Sequence, residues 1–127
     1  MRLALEDAGM QPRDVHVVYA SANATPALDA AEADALTLLF GSASTVVTAI
    51  KGSLGESGAS GSAACASALL CGRLGRVPPI AGLTTPDDAA RTLRLATTSL
   101  DAPGPVALVN SFASGGALFS AVLRAAM

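Results

Sequence analysis

The sequence predicts a layered α/β domain built on a mixed sheet. Three observations carry that expectation. Runs rich in β-branched residues alternate with helix-periodic segments through most of the chain. The last two apolar runs are separated only by "ASGG", the mark of a hairpin. Hydrophobic residues make up 51% but aromatics only 3% and charges 14%. A core of Ala, Val and Leu lets helices lie close on both faces of a sheet, or against a large interface. At 127 residues the chain is long enough for one domain with its own core.

The elements follow in order. "RLALEDAG" reads as a short helix or the last turns of one, stopped by Gly9 with Pro12 beyond. "DVHVVYAS" reads as a buried strand and "SANATP" as the loop after it. "ALDAAEADALTLLFG" is the strongest helix. Leu28, Ala35, Leu36, Leu39 and Phe40 recur at helical spacing, Asp29 and Glu32 favour its N-terminal end, and Gly41 closes it. "STVVTAI" is a second strand, followed by the glycine-rich loop "KGSLGESGAS". "GSAACASALLCGRLG" is a helix of very small residues, ended near Gly75 before "VPP". Residues 81–91 read as loop and "TLRLATTSL" as a possible strand. "DAPGP" is a turn between it and the closing hairpin of "VALVNSF" and "ALFSAVLRA".

Composition excludes several functions. A net charge of −2 supplies no basic patch for nucleic acid. No apolar run reaches the roughly 18 residues of a membrane span, and the N-terminus lacks the shape of a secretion signal, so the expectation is a cytoplasmic protein. Cys65 and Cys71 are six apart in the small-residue helix, which is not metal spacing. They read as buried, inert thiols. One histidine and scattered acids supply no metal cluster, and no cofactor motif is present.

The loop from Lys51 invites comparison with a phosphate loop and fails it. Lys51 precedes the glycines instead of following them, no Lys-Ser/Thr pair is present, and "GSLGES" and "GASGS" do not supply G-x-G-x-x-G. His16 lies within the first strand pattern, an odd number of residues before Ser21, so the two face opposite ways and form no dyad. One constellation remains. Asp29 and Glu32 open a helix after one strand, and Lys51 stands just beyond the next. In parallel strands both loops emerge at the same sheet edge. That allows Lys51 to pair with Glu32 or Asp29. The plainer alternative is two helix-capping acids and a surface lysine.

Taken together, "LEDAG", "SANATP", "LDAAEADALTLLFG", "IKGSLGE", "RVPP" and "NSFASGG", in this order and spacing, resemble the C-terminal part of the β-ketoacyl-acyl-carrier-protein synthases, the condensing enzymes of fatty acid and polyketide synthesis. The resemblance covers almost the whole chain. It implies half of a thiolase-like α-β-α-β-α fold, with a mixed sheet of about five strands and helices packed on it. Residues 1–127 would form one ketosynthase C-terminal-like domain, with 1–13 the end of a preceding helix and loop.

In that family a cysteine takes the acyl group, two histidines stabilise the enolate left by decarboxylation of a malonyl-carrier, and a lysine and two acids support the histidines. The resemblance places the acids at Asp29 and Glu32 and the lysine at Lys51. The first histidine slot holds Ser21 and the second holds Glu56. Ser114 fills the slot of a phenylalanine in the last hairpin, where a backbone N–H would serve an oxyanion. The nucleophilic cysteine belongs to the N-terminal half, and neither Cys65 nor Cys71 takes its place.

Ser21 donates one neutral hydrogen bond, and an ionised Glu56 repels a developing enolate. The resemblance therefore implies no condensation by this chain alone. It implies a degenerate ketosynthase similar to chain-length-factor subunits, pairing with an active synthase subunit or its own N-terminal half in a homo- or heterodimer, and serving an acyl carrier protein. The alternatives are a divergent acyltransferase with reassigned residues, or a truncated gene product.

Overall fold

The computed structural model describes residues 1–41, 44–113 and 115–126. Its centre is a five-stranded mixed sheet in the order β4-β2-β1-β6-β7. The strands are β1 (Val17–Tyr19), β2 (Val46–Thr48), β4 (Arg94–Leu95), β6 (Val106–Phe112) and β7 (Leu118–Arg124). β1 runs parallel to both β2 and β6, with Val17 beside Val46 and Ala107. β2 runs parallel to β4, and the β6–β7 hairpin is antiparallel. A separate antiparallel ribbon joins β3 (Arg76–Val77) to β5 (Leu100–Asp101).

Both faces of the sheet are covered, which explains the unbroken apolar runs of its central strands. Side chains alternate across β1, β2 and β6. Val17, Tyr19, Val46 and Val109 face a cluster completed by Ala64 and Ala68 of α4 (Ser60–Arg73). Val18, Val47 and Leu108 face the other cluster, with Leu5 of α1 (Arg2–Asp7) and Leu36 and Phe40 of α2 (Pro26–Phe40). The small residues of α4 have a steric cause. A Cβ on Gly61 would stand 2.7 Å from Ser111 Oγ, and one on Gly72 would stand 2.7 Å from Ala125 Cβ. Glycine at these points lets the helix lie directly on β6 and the chain end beyond β7.

Several elements differ from the sequence expectation. "TLRLATTSL" is not one strand but two, β4 and β5, in different sheets. The glycine-rich loop opens with a short helix, α3 (Lys51–Leu54), and residues 81–91 contain a 3-10 turn at Asp88–Ala90. Leu28 is exposed, because the face of α2 carrying Leu36 and Phe40 is the one that meets the sheet. Cys65 and Cys71 are half-buried rather than buried. His16 ends just short of β1, where its Nδ1 accepts the Val106 N–H at 3.3 Å and its ring lies against Gly104. It is a packed rim residue, as its isolation in the sequence suggests.

Tyr19 makes the α4-side core measurable. Burial pushes its phenol far above the ordinary value near 10, and the neighbouring Cys71 adds to the rise. A group whose neutral form is favoured by folding contributes fully below its unfolded value and loses that contribution as pH rises past it. Stability should therefore fall from about pH 10 upward. Tyr19 is the only tyrosine, and tryptophan is absent. The expected result is phenolate absorbance that appears only together with loss of the circular dichroism signal. Ionisation near pH 10 in a still-folded chain would contradict the burial.

Candidate functional site

β1 and β2 are parallel, so the loops after them leave the sheet at the same edge. The first of these loops, residues 21–24, is bent into an unusual shape. Ala22 has φ of 36° and Ala24 φ of 64°, in the left-handed region that costs an L-residue with a Cβ about 1–2 kcal/mol. The two acids of α2 hold it there. Glu32 Oε1 accepts the Ser21 N–H at 2.9 Å and Oε2 accepts the Ala22 N–H at 3.0 Å. Asp29 Oδ1 accepts the Asn23 N–H at 3.0 Å and Oδ2 accepts the Ala24 N–H at 3.1 Å. Four consecutive backbone donors thus converge on two carboxylates one helical turn apart. The acids do not cap their own helix, whose N-cap Thr25 makes no side-chain capping bond.

Glu32 is buried, and its Oε1 also accepts a hydrogen bond from Asn110 Nδ2 at 2.9 Å. Asn110 Oδ1 in turn accepts from Ser120 Oγ at 2.8 Å. Glu32 therefore links α2, the loop and the β6–β7 hairpin. The role of Asn110 was missed by the residue-level reading. Its signal was a polar side chain in the middle of the apolar run "VALVNSF".

Lys51 opens α3 and points back to the first loop. Its Nζ donates to Ser21 Oγ at 3.2 Å and pairs with Glu56 Oε2 at 2.6 Å. This corrects the expectation that it pairs with Glu32 or Asp29. Those acids are already engaged by backbone N–H groups, whereas Glu56 returns on the turn that follows α3. Ser21 is 1% exposed, and its Oγ also accepts the Phe112 N–H at 3.1 Å. Both contacts treat the hydroxyl as an acceptor, and Lys51 acts on it as a donor rather than a base. The geometry suits an organising hub, not an activated nucleophile. Ser21, Asp29, Glu32, Lys51 and Glu56 thus lie in one continuous region. Ser114 lies outside the described residues. Among the described residues no group of three or more His, Cys, Asp or Glu could hold a metal ion.

Beside this region lies a cavity of about 470 Å³ between α2, β2 and the segment 80–95. Asp29, Glu32, Lys51 and Glu56 contribute to its wall.

The strain at Ala24 gives a direct test. Ala24→Gly removes the Cβ from a left-handed backbone but loosens the unfolded chain. The net expectation is a gain of about 0.5–1 kcal/mol in urea unfolding. A loss of stability would mean that the loop does not hold this conformation in solution.

Comparison with known proteins gives three kinds of match. The family model of the beta-ketoacyl synthase, C-terminal domain, matches residues 1–84. Among curated proteins, the tetracenomycin polyketide synthase ketoacyl synthase beta subunit of Streptomyces glaucescens is 49% identical over 87 residues, covering 68% of this chain and 21% of that protein. The actinorhodin polyketide putative beta-ketoacyl synthase 2 of Streptomyces coelicolor is 42% identical over 86 residues, 67% of this chain and 21% of that protein. Among solved structures, the ishigamide ketosynthase/chain length factor aligns at 26% identity with a TM-score of 0.88, covering 99% of this chain and 32% of that one. A beta-ketoacyl synthase from Burkholderia phymatum aligns at 26% with a TM-score of 0.92, covering 100% and 31%. The chain spans about a fifth of the length of these curated relatives. The layered architecture is that of the thiolase-like ketosynthases.

Proposed function

This chain belongs to the β-ketoacyl synthase family, through that family's C-terminal domain, and from that premise we propose that it is a non-condensing ketosynthase-like partner of polyketide or fatty acid synthesis, acting beside an active synthase as a chain-length-factor-like subunit. Residues 1–127 form one ketosynthase C-terminal-like unit in this reading. The partner is a ketosynthase subunit or the protein's own N-terminal half, the carrier protein delivers to the pair, and the pair works in the cytoplasm. The similarity to a ketoacyl synthase beta subunit and to a ketosynthase/chain length factor supports the reading.

The observation that carries it is the Lys51–Glu56 pair. The family resemblance puts a neutral or cationic hydrogen-bond donor in the slot of Glu56. A carboxylate there offers an acceptor to a developing enolate oxygen, which needs donors. Its contact with Lys51 also occupies the cation that supports the histidines in active members. Ser21, already accepting two hydrogen bonds, does not replace an imidazolium.

Two measurements test the proposal together. The chain alone should release no carbon dioxide from malonyl-carrier above the uncatalysed rate. Co-expressed with an intact ketosynthase, it should co-elute with that subunit. Turnover that disappears on Glu56→Gln would overturn the non-condensing reading. Failure to co-elute with any ketosynthase of its own host would overturn the partner reading.

A further inference from the structure

The cavity beside α2 is lined by side chains of α2, β2, β4 and the segment between Ile80 and Leu95. Its volume of about 470 Å³ falls in the range of small-ligand sites, roughly 300–1,000 Å³. Much of its lining is apolar, with Val47 and Leu95 side by side on β2 and β4 and Leu36, Leu83 and Leu93 also in the wall. Four of its lining residues are carboxylates, Asp29, Glu32, Glu56 and Asp87, and only Lys51 is a cation.

These charges do not all stand ready for a ligand. Asp29 and Glu32 are engaged by the backbone N–H groups of loop 21–24. Lys51 is engaged by Glu56 and Ser21. Glu56 uses only Oε2 on that lysine and is half exposed, and Asp87 takes part in none of the three ion pairs among the described residues. A carboxylate ligand would meet a Lys51 whose charge Glu56 already balances, with one N–H left over, and would still face the remaining acids. A cation meets complementary charge without displacing anything.

We propose that this cavity binds a small amphipathic amine, its alkyl or aryl body among the leucines and its ammonium drawn to the Glu56 and Asp87 carboxylates. The proposal is independent of whether the chain partners a synthase, since it uses only this chain's own walls and charge. It also assigns the segment 80–90 a role as a wall of a site.

The test is titration of the whole chain with octylammonium, octanol and octanoate, followed by calorimetry and ligand-observed NMR. The three probes share a tail and differ in head charge. Octylammonium should bind about tenfold more tightly than octanoate, with octanol between them. In the double variant Glu56→Gln/Asp87→Asn, octylammonium should weaken to the affinity of octanol, which itself should not change. Ala90→Phe should block all three by filling space at the wall formed by segment 80–90. The double variant is nearly isosteric, so it remains decisive even where Ala90→Phe fails to fold. Octanoate binding as tightly as octylammonium, absence of saturable binding by any probe, or indifference of octylammonium to the double variant would each overturn the proposal.

Discussion

Glu32→Ala should destabilise the chain by about 3–5 kcal/mol, the largest single-residue effect expected of the site. The carboxylate is 4% exposed and accepts from three donors: the N–H groups of Ser21 and Ala22, and Asn110 Nδ2. Alanine leaves all three without their partner. Each orphaned buried donor costs about 1–3 kcal/mol. Water from the adjoining cavity can reach part of the gap, which argues for the lower part of the summed range. The loss also frees Ala22 from the contact that holds its positive φ, so loop and helix should loosen together.

Glu32→Gln separates charge from shape. Its carbonyl oxygen can still accept from Ser21 and Asn110, but its amide then sets a donor against the Ala22 N–H. About 1–2 kcal/mol should be lost, with hydrogen exchange accelerated at Ala22 more than at Ser21. Urea unfolding gives the order parent, Gln, Ala. A loss below about 1 kcal/mol in the alanine variant would show that the loop is held by something other than α2.

The sequence made the repeating parts of this fold legible and hid the parts set by return paths. α2 and α4 announce themselves by length and by glycines at their ends. β1 and β2 announce themselves by β-branched runs, because strands buried on both faces carry little else, and the β6–β7 hairpin by the "ASGG" break between two apolar runs. β3, β4 and β5 have two residues each, too few for a period of two to register. α3 escaped notice because "KGSL" contains glycine and only four residues.

The site followed the same division. Asp29 and Glu32 are legible as acids at the start of a helix, and helix capping is the usual meaning of such a pattern. Their real partners come from a loop whose course depends on two alanines in a conformation that alanine rarely adopts. The Lys51–Glu56 pair crosses the turn after α3, and no periodicity relates residues five apart across a glycine-rich turn. The family resemblance assigns slots along the chain but does not say what Glu56 touches. The ion pair turns a bare substitution into a chemical statement, because it shows where the new carboxylate's charge goes.

Leu70→Glu/Leu74→Glu should weaken association by about 100-fold or more, whether the partner is a second copy or a ketosynthase subunit. α4 presents Ala64 and Ala68 to the sheet, and Leu69, Leu70 and Leu74 lie away from that core. Leu70 is 61% exposed and Leu74 is 74% exposed, one helical turn apart. Burying two such side chains contributes about 3–5 kcal/mol to an interface, and glutamate there adds the cost of desolvating a charge. Neither leucine supports the core, so the fold should lose no more than about 0.5 kcal/mol. Leu38 supplies the control. It is 83% exposed on α2, the helix on the opposite face of the sheet, so Leu38→Glu replaces an exposed leucine by a charge without touching α4. Light scattering should show the parent self-associating, the α4 variant dispersed and the Leu38 variant behaving as the parent. Equal dispersal by both would reduce the α4 face to general stickiness, and unchanged association in the α4 variant would move the interface elsewhere.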